Sequence, residues 1–276
     1  MTRKSGYMDK GPSLKELEQQ AEAGDSAAAR DLGDRYRTGD AVQQDWTMAL
    51  RWYSLAAELG EPTAQTNLGS MFLEGAGCQR DMAQAVYWYR RSAQQGDAIA
   101  QWNLGMRCLR GEGTIQDFAE AYECFKKALL NGYTQAACEL GTMHRYGLGV
   151  DCSLLAAADF HLIAARVGDS EACCNLSEYS LELQNAALGG SQMASVFLCR
   201  MHNRGFGVEK SQPLTWAWIL CAKKYCESDL DPEIAEEVRE SYDFYHWSIS
   251  SENRKEGQKR LKDMRAAHAR QLRKQP

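Results

Sequence analysis

Residues 97–132 read DAIAQWNLGMRCLRGEGTIQDFAEAYECFKKALLNG, and the reading of this stretch decides the fold. It opens on Asp97, runs through an apolar, alanine-containing segment to Gly111-Glu112-Gly113, restarts at Asp117 and closes on Gly132. Aspartate before an alanine-rich run accepts the orphan backbone N–H groups of a helix start, and glycine after such a run supplies the left-handed residue that ends it. The stretch therefore predicts two antiparallel helices. The same 36-residue pattern fills 25–60, 61–96 and 133–168 with no insertion between units, and a fixed period of this size marks a repeat array.

Working outward, Leu32-Gly33, Leu68-Gly69, Leu104-Gly105 and Leu140-Gly141 mark the first helices, and Ala49, Ala85, Ala121 and Ala157 the second. Ala28, Ala64, Ala100, Ala136 and Ala172 share one first-helix position, where a small side chain lets helices approach, while Tyr53, Tyr89 and Phe125 fill the space between layers. A single helix pair cannot bury its own apolar face, so stability comes from stacking on neighbours. A fifth unit starts at Asp169 but reaches Gly189-Gly190 without an inter-helix loop, giving 169–190, and a sixth occupies 191–226. In front, residues 1–24 carry a capping helix through Leu14, Leu17 and Ala21; behind, 227–276 holds capping helices and a basic tail.

Only five prolines occur, 44% of residues are hydrophobic, and no stretch approaches the roughly 18 apolar residues of a membrane span. Residues 1–12 lack the apolar core of an export signal, so the expectation is a soluble, cytoplasmic chain whose ten cysteines are reduced. The net charge of −5 gives no global attraction to nucleic acid or anionic lipid. It is uneven: from Glu252 onward the balance is +6, against −11 for the rest. Asp231-Pro232 starts a helix with Ala235, Val238, Tyr242 and Tyr245 as its apolar stripe. Ser250 or Ser251 caps a last one with Leu261, Met264, His268 and Leu272 on one face. This basic helix reads as a lid with a solvated face, and its alternative role is contact with an acidic partner.

The recurring Ala-x-x-x-Leu-Gly, Gly-x-Gly loop, Asp-x-x-x-Ala, aromatic pairs Trp52-Tyr53 and Trp88-Tyr89, and closing glycine resemble the Sel-one-like repeat family over roughly 25–226. The resemblance implies an all-α fold: a right-handed superhelical solenoid of antiparallel helix pairs, tetratricopeptide-like, serving as an adaptor for protein assembly. The ending that begins Trp216-Ala217-Trp218 looks bacterial in style. A secreted branch of the family staples each unit with two cysteines about eight apart; no successive cysteines here have that spacing. Distant relatives suggest the rival reading, a hydrolase of a β-lactam or cell-wall amide.

Alignment in register turns candidate chemistry into packing. His144 and His202 occupy the position of Tyr36, Phe72 and Cys108, and His161 that of Tyr53, Tyr89 and Phe125. Cys173-Cys174 lies on a first-helix face of small residues and reads as buried thiols, and the Gly-x-Gly loops follow helices, not strands, so turns explain them. No His-Glu-x-x-His or Cys-x-x-Cys pattern occurs, and the expectation is a protein that is not an enzyme and has no metal or cofactor. Trp102 stands where other units have Arg30, Thr66 and Cys138, so the fold does not demand an aromatic there. With Met71, Met106, Arg107, Arg110 and Met143 around it, and Arg35 and Arg37 at the edge, it is the expected partner-binding patch on the concave, first-helix surface. The partner is another protein, with a bacterial regulatory or immunity protein as the narrower reading; neither nucleic acid nor membrane is expected.

Overall fold

The computed structural model describes residues 12–224 and 232–274, and these form helices and loops without strands. These described residues fall into two compact units that divide after Tyr133.

The first unit contains α1 (Leu14–Glu22), α2 (Ser26–Thr38), α3 (Trp46–Glu58), α4 (Pro62–Glu74), α5 (Met82–Gln94), α6 (Ala98–Arg110) and α7 (Phe118–Leu130). After the short α1, α2/α3, α4/α5 and α6/α7 are the three antiparallel pairs that the 36-residue period predicts. The starts follow from the aspartates: Asp45 Oδ1 accepts from Thr47 and Met48 N–H at 2.9 and 3.0 Å, Asp81 repeats the arrangement with Ala83 and Gln84, and Asp117 accepts from Glu120 N–H at 2.9 Å. Each such cap stabilises by about 1 kcal/mol. At the front, Ser13 and Glu16 close a capping box on α1, which buries Leu17 and Ala21.

Two contacts explain the invariant spacing. Gly33, Gly69 and Gly105 lie under the rings of Tyr53, Tyr89 and Phe125; a Cβ on Gly105 would stand 2.8 Å from Phe125 Cε1. Any larger residue in the first helix would push the ring of the second away. The second glycine of each loop meets the preceding pair: a Cβ on Gly113 would overlap the Met82 carbonyl oxygen at the start of α5, as one on Gly77 would overlap that of Trp46. Ala41 holds the equivalent place in the first loop, at φ 60°, where it is exposed. Polar braces tie successive pairs. Gln65 and Gln101 donate to the Ala57 and Ala93 carbonyls at 3.0 and 3.1 Å, while Gln95 and Asn131 donate back to the glutamine side-chain oxygens at 2.8 and 2.9 Å.

The second unit contains α8 (Ala136–Tyr146), α9 (Leu154–Arg166), α10 (Ser170–Glu178), α11 (Ser180–Leu188), α12 (Gln192–Arg204), α13 (Gln212–Lys224), α14 (Pro232–Ser248) and α15 (Ser251–Leu272). Its α8/α9 and α12/α13 pairs follow the same rules. Between them the loop has shrunk to Tyr179 alone, at φ −108° and ψ 14°, which joins α10 directly to α11. This shortening lets α9 pack directly on α12.

The end of the chain departs in detail from the sequence reading. Val238 is buried and Tyr242 stacks on Trp216 with centroids 5.4 Å apart, whereas Asp231 and the Ala235 side chain lie outside the described residues. Ser250 is the cap of α15, its side-chain oxygen accepting from Asn253 N–H at 3.2 Å. Helix α15 packs along α13, close enough that a Cβ on Gly257 would overlap the Pro213 carbonyl. Its apolar stripe runs through buried Leu261 to half-buried Met264 and His268; Leu272, expected to share it, is 55% exposed because the stripe outlasts α13.

Candidate functional site

Trp102 is half-buried on α6, and its ring lies 5.6 Å from that of Tyr133 at 46°. Its indole N–H is buried with no acceptor among the described residues. Tyr133 is the residue that the sequence reading missed. It stands at the register position of Asp25, Asp97 and Asp169, each of which accepts a hydrogen bond at a helix start. With tyrosine there, the following helix has no side-chain cap. A cap contributing about 1 kcal/mol is thus absent at the point where an aromatic contacts the other off-pattern aromatic.

The remaining predicted residues do not form one surface around that pair. Met71 and Met106 are buried in the first unit, and Met143, in the second unit, is also buried, so their sulfurs fill core space. Arg107 is 9% exposed and pairs with Glu112 in the following loop. Arg35 donates to the Pro12 carbonyl at 3.1 Å. Arg37 donates from Nε to the Tyr53 oxygen at 3.0 Å, and the Tyr53 hydroxyl donates to Asp34 at 2.6 Å. These arginines brace the fold; for Arg35 and Arg37 the sequence could not reveal this because their partners Pro12 and Tyr53 are 23 and 16 positions away. Arg110 is exposed at the C-terminal end of α6, the helix that carries Trp102.

The histidines sit where the register puts them. His161 packs on Gly141 as Tyr53, Tyr89 and Phe125 pack on their glycines. Asn175 Nδ2 approaches its Nε2 at 3.1 Å, and the Tyr179 hydroxyl bonds its Nδ1. Burial lowers the imidazole to about 4, so it is neutral near pH 7. His161 and Tyr179 are each 1% exposed, which denies a substrate access to this acid–base-like cluster. His202 and His144 contact the loop carbonyls of Glu209 and Asp151 at 3.1 and 3.4 Å. Cys174 corrects the expectation for the vicinal thiols: it is exposed and Cys173 half-buried, because α10 is the first helix of the shortened unit. Cys108, Cys124 and Cys138 are buried, and burial raises their thiols to about 12, 11 and 12. Among the described residues no cluster of three His, Cys, Asp or Glu side chains is placed to hold a metal ion, and no helix is long and apolar enough to cross a membrane.

A cavity of about 200 Å³ opens in the second unit between α9, α12 and α14, with Arg166, Arg200, Arg204, Asn203 and Tyr245 among its walls. Sequence reasoning missed it. Arg166 and Arg200 replace other residue types at their register positions, whereas Arg204 shares its position with Arg110; the loss of the fifth unit's loop brings α9 and α12 together.

These features define the class: an α-helical repeat protein built from stacked pairs, whose irregular residues lie at helix surfaces. The Sel1 repeat family model matches residues 26–61, 62–97, 98–133, 134–169 and 192–224, more than half of the chain, which therefore belongs to the Sel1 repeat family. The chain is similar to a solved protective antigen of uropathogenic Escherichia coli strains displaying an SLR fold, at 25% identity over 91% of this chain and with a TM-score of 0.59. It spans 59% of the length of that protein. A Sel1 repeat protein from Oxalobacter formigenes is similar at 25% identity and a TM-score of 0.54, with 77% of this chain and 99% of that one covered. No curated protein matches the chain. Sel1 repeat proteins generally serve as protein-interaction scaffolds.

Proposed function

We propose that this chain is a scaffold that binds another protein through the Trp102–Tyr133 pair, with Arg110 at its margin. The observation that carries this reading is the double departure from the repeat. Trp102 replaces Arg30, Thr66 and Cys138, Tyr133 replaces a capping aspartate, and the two rings touch. Partly exposed aromatics flanked by arginine are the residues that anchor protein interfaces. The bacterial origin of the similar solved proteins supports the narrower reading of a bacterial regulatory or immunity protein that sequesters a cognate protein.

The test is affinity capture from the native lysate with the full chain and with the Trp102→Ala/Tyr133→Ala variant, after circular dichroism has established equal helicity. A specific protein captured by the first and lost by the second is expected. An identical set of captured proteins removes this surface as the contact.

A further inference from the structure

We infer that the cavity between α9, α12 and α14 receives a carboxylate side chain of an acidic peptide segment, forming an anion subsite distinct from the Trp102 surface. The inference rests on the scaffold reading and adds the chemistry of a recognised segment.

Three arginines and one aspartate line the cavity, a net charge of +2 within about 200 Å³. Asp159 faces Arg200 at 3.9 Å. Arg166 and Arg204, both exposed at the C-terminal ends of α9 and α12, have no carboxylate partner among the described residues. Two helix C-termini carry partial negative charge, which holds arginines there but does not neutralise them. The other polar walls also offer donors. Asn203 has an amide, and burial raises the Tyr245 phenol to about 12, so it keeps its proton throughout the physiological range. Guanidinium groups bind carboxylates in paired, charge-assisted bonds.

The apolar walls decide the class of ligand. Leu162, Ile163 and Phe206 line the same cavity. A free inorganic anion gains nothing from that surface, whereas an Asp or Glu followed by an apolar side chain fits both halves. The site exists because the fifth unit is short. With Tyr179 as the whole link between α10 and α11, α9 meets α12, and α14 supplies the third wall.

Random peptides displayed on phage are selected on the immobilised full chain, and the retained pool is then tested on Arg166→Gln/Arg204→Gln. These side chains are exposed, and matching thermal melts establish that the variant folds. The expected result is enrichment of Asp or Glu beside an apolar residue, with the best peptide bound about tenfold to a hundredfold more weakly by the variant. Glutarate competes for that peptide at lower concentration than inorganic phosphate does. Acidic peptides bound equally by the variant overturn the cavity while leaving the scaffold reading intact. Phosphate as the better competitor overturns the carboxylate assignment. If no peptide of any sequence is retained, the carboxylate subsite falls; the scaffold reading is then judged separately, by capture of a folded protein on the Trp102 surface. A charge-reversed Arg166→Glu/Arg204→Glu chain is expected to select Lys and Arg instead, and continued selection of Asp and Glu refutes the subsite.

Discussion

Replacing Gly113 with alanine separates two costs that the loop glycine carries. Gly113 and Gly132 both have positive φ, +75° and +93°, so alanine is strained at either. At Gly132 nothing lies within 4 Å of the added Cβ, so only the torsional cost operates. That cost is about 1–2 kcal/mol, reduced by about 0.4–1 kcal/mol because alanine restricts the unfolded chain. Gly132→Ala should therefore destabilise by about 1 kcal/mol. At Gly113 the Cβ also overlaps the Met82 carbonyl and lies 2.9 Å from Met82 Cβ. The obstacle is backbone, which cannot rotate aside, and overpacking adds about 1–3 kcal/mol. Gly113→Ala should thus cost about 2–4 kcal/mol. Both positions belong to the same compact unit, so urea titrations followed at 222 nm report on one body. Ala41→Gly, at the equivalent place in the first loop, should stay within about 0.5 kcal/mol of the parent, since strain relief and unfolded-state entropy oppose each other. Coincident midpoints for Gly113→Ala and Gly132→Ala would refute the claim that contact with the preceding pair dictates the second loop glycine.

His161 should make stability fall with acid. Its pKa is about 4 in the fold against 6.5 in the unfolded chain, so the unfolded state binds more protons between these values. The contribution is complete above about pH 6.5 and is lost as pH falls through about 4, amounting to about 3 kcal/mol. Thermal melts from pH 7 to 4 should be less steep in a His161→Tyr variant, which carries the residue of the first two pairs; equal steepness would count against this. Removing one partner of the Arg107–Glu112 pair leaves a buried guanidinium unpaired, so Glu112→Gln should cost about 1–3 kcal/mol while Arg107→Met costs less. Urea midpoints ordered the other way would contradict that account. Asp81→Ala, which removes the acceptor for Ala83 and Gln84 N–H, should destabilise by about 1 kcal/mol and Asp81→Ser by a few tenths. Equal losses in both would show that the cap is not the cause.

The sequence by itself determined the helices, their pairing and their ends, because these depend on neighbours within one 36-residue period. An aspartate finds its N–H groups two and three residues on, and a glycine frees its own torsion angles. Register also placed His161 as a ring filler, since position 161 faces the glycine of its own pair as positions 53, 89 and 125 face theirs. The candidate site was legible only in part. Trp102 stood out as a departure from the repeat, but its contact with Tyr133 spans 31 positions and had no local signal. Arg35, Arg37 and Arg107 looked available in sequence and are held by Pro12, Tyr53 and Glu112, while Met71, Met106 and Met143 are core residues. Apart from Arg107, whose partner Glu112 lies five residues on, tertiary structure alone decided these cases and the arginine-lined cavity. Periodicity reports which face of a helix a residue occupies, but whether that face meets solvent, an acceptor or another helix depends on chain segments brought together in space. The cavity depends further on a missing loop, which breaks the period on which the sequence reading rests.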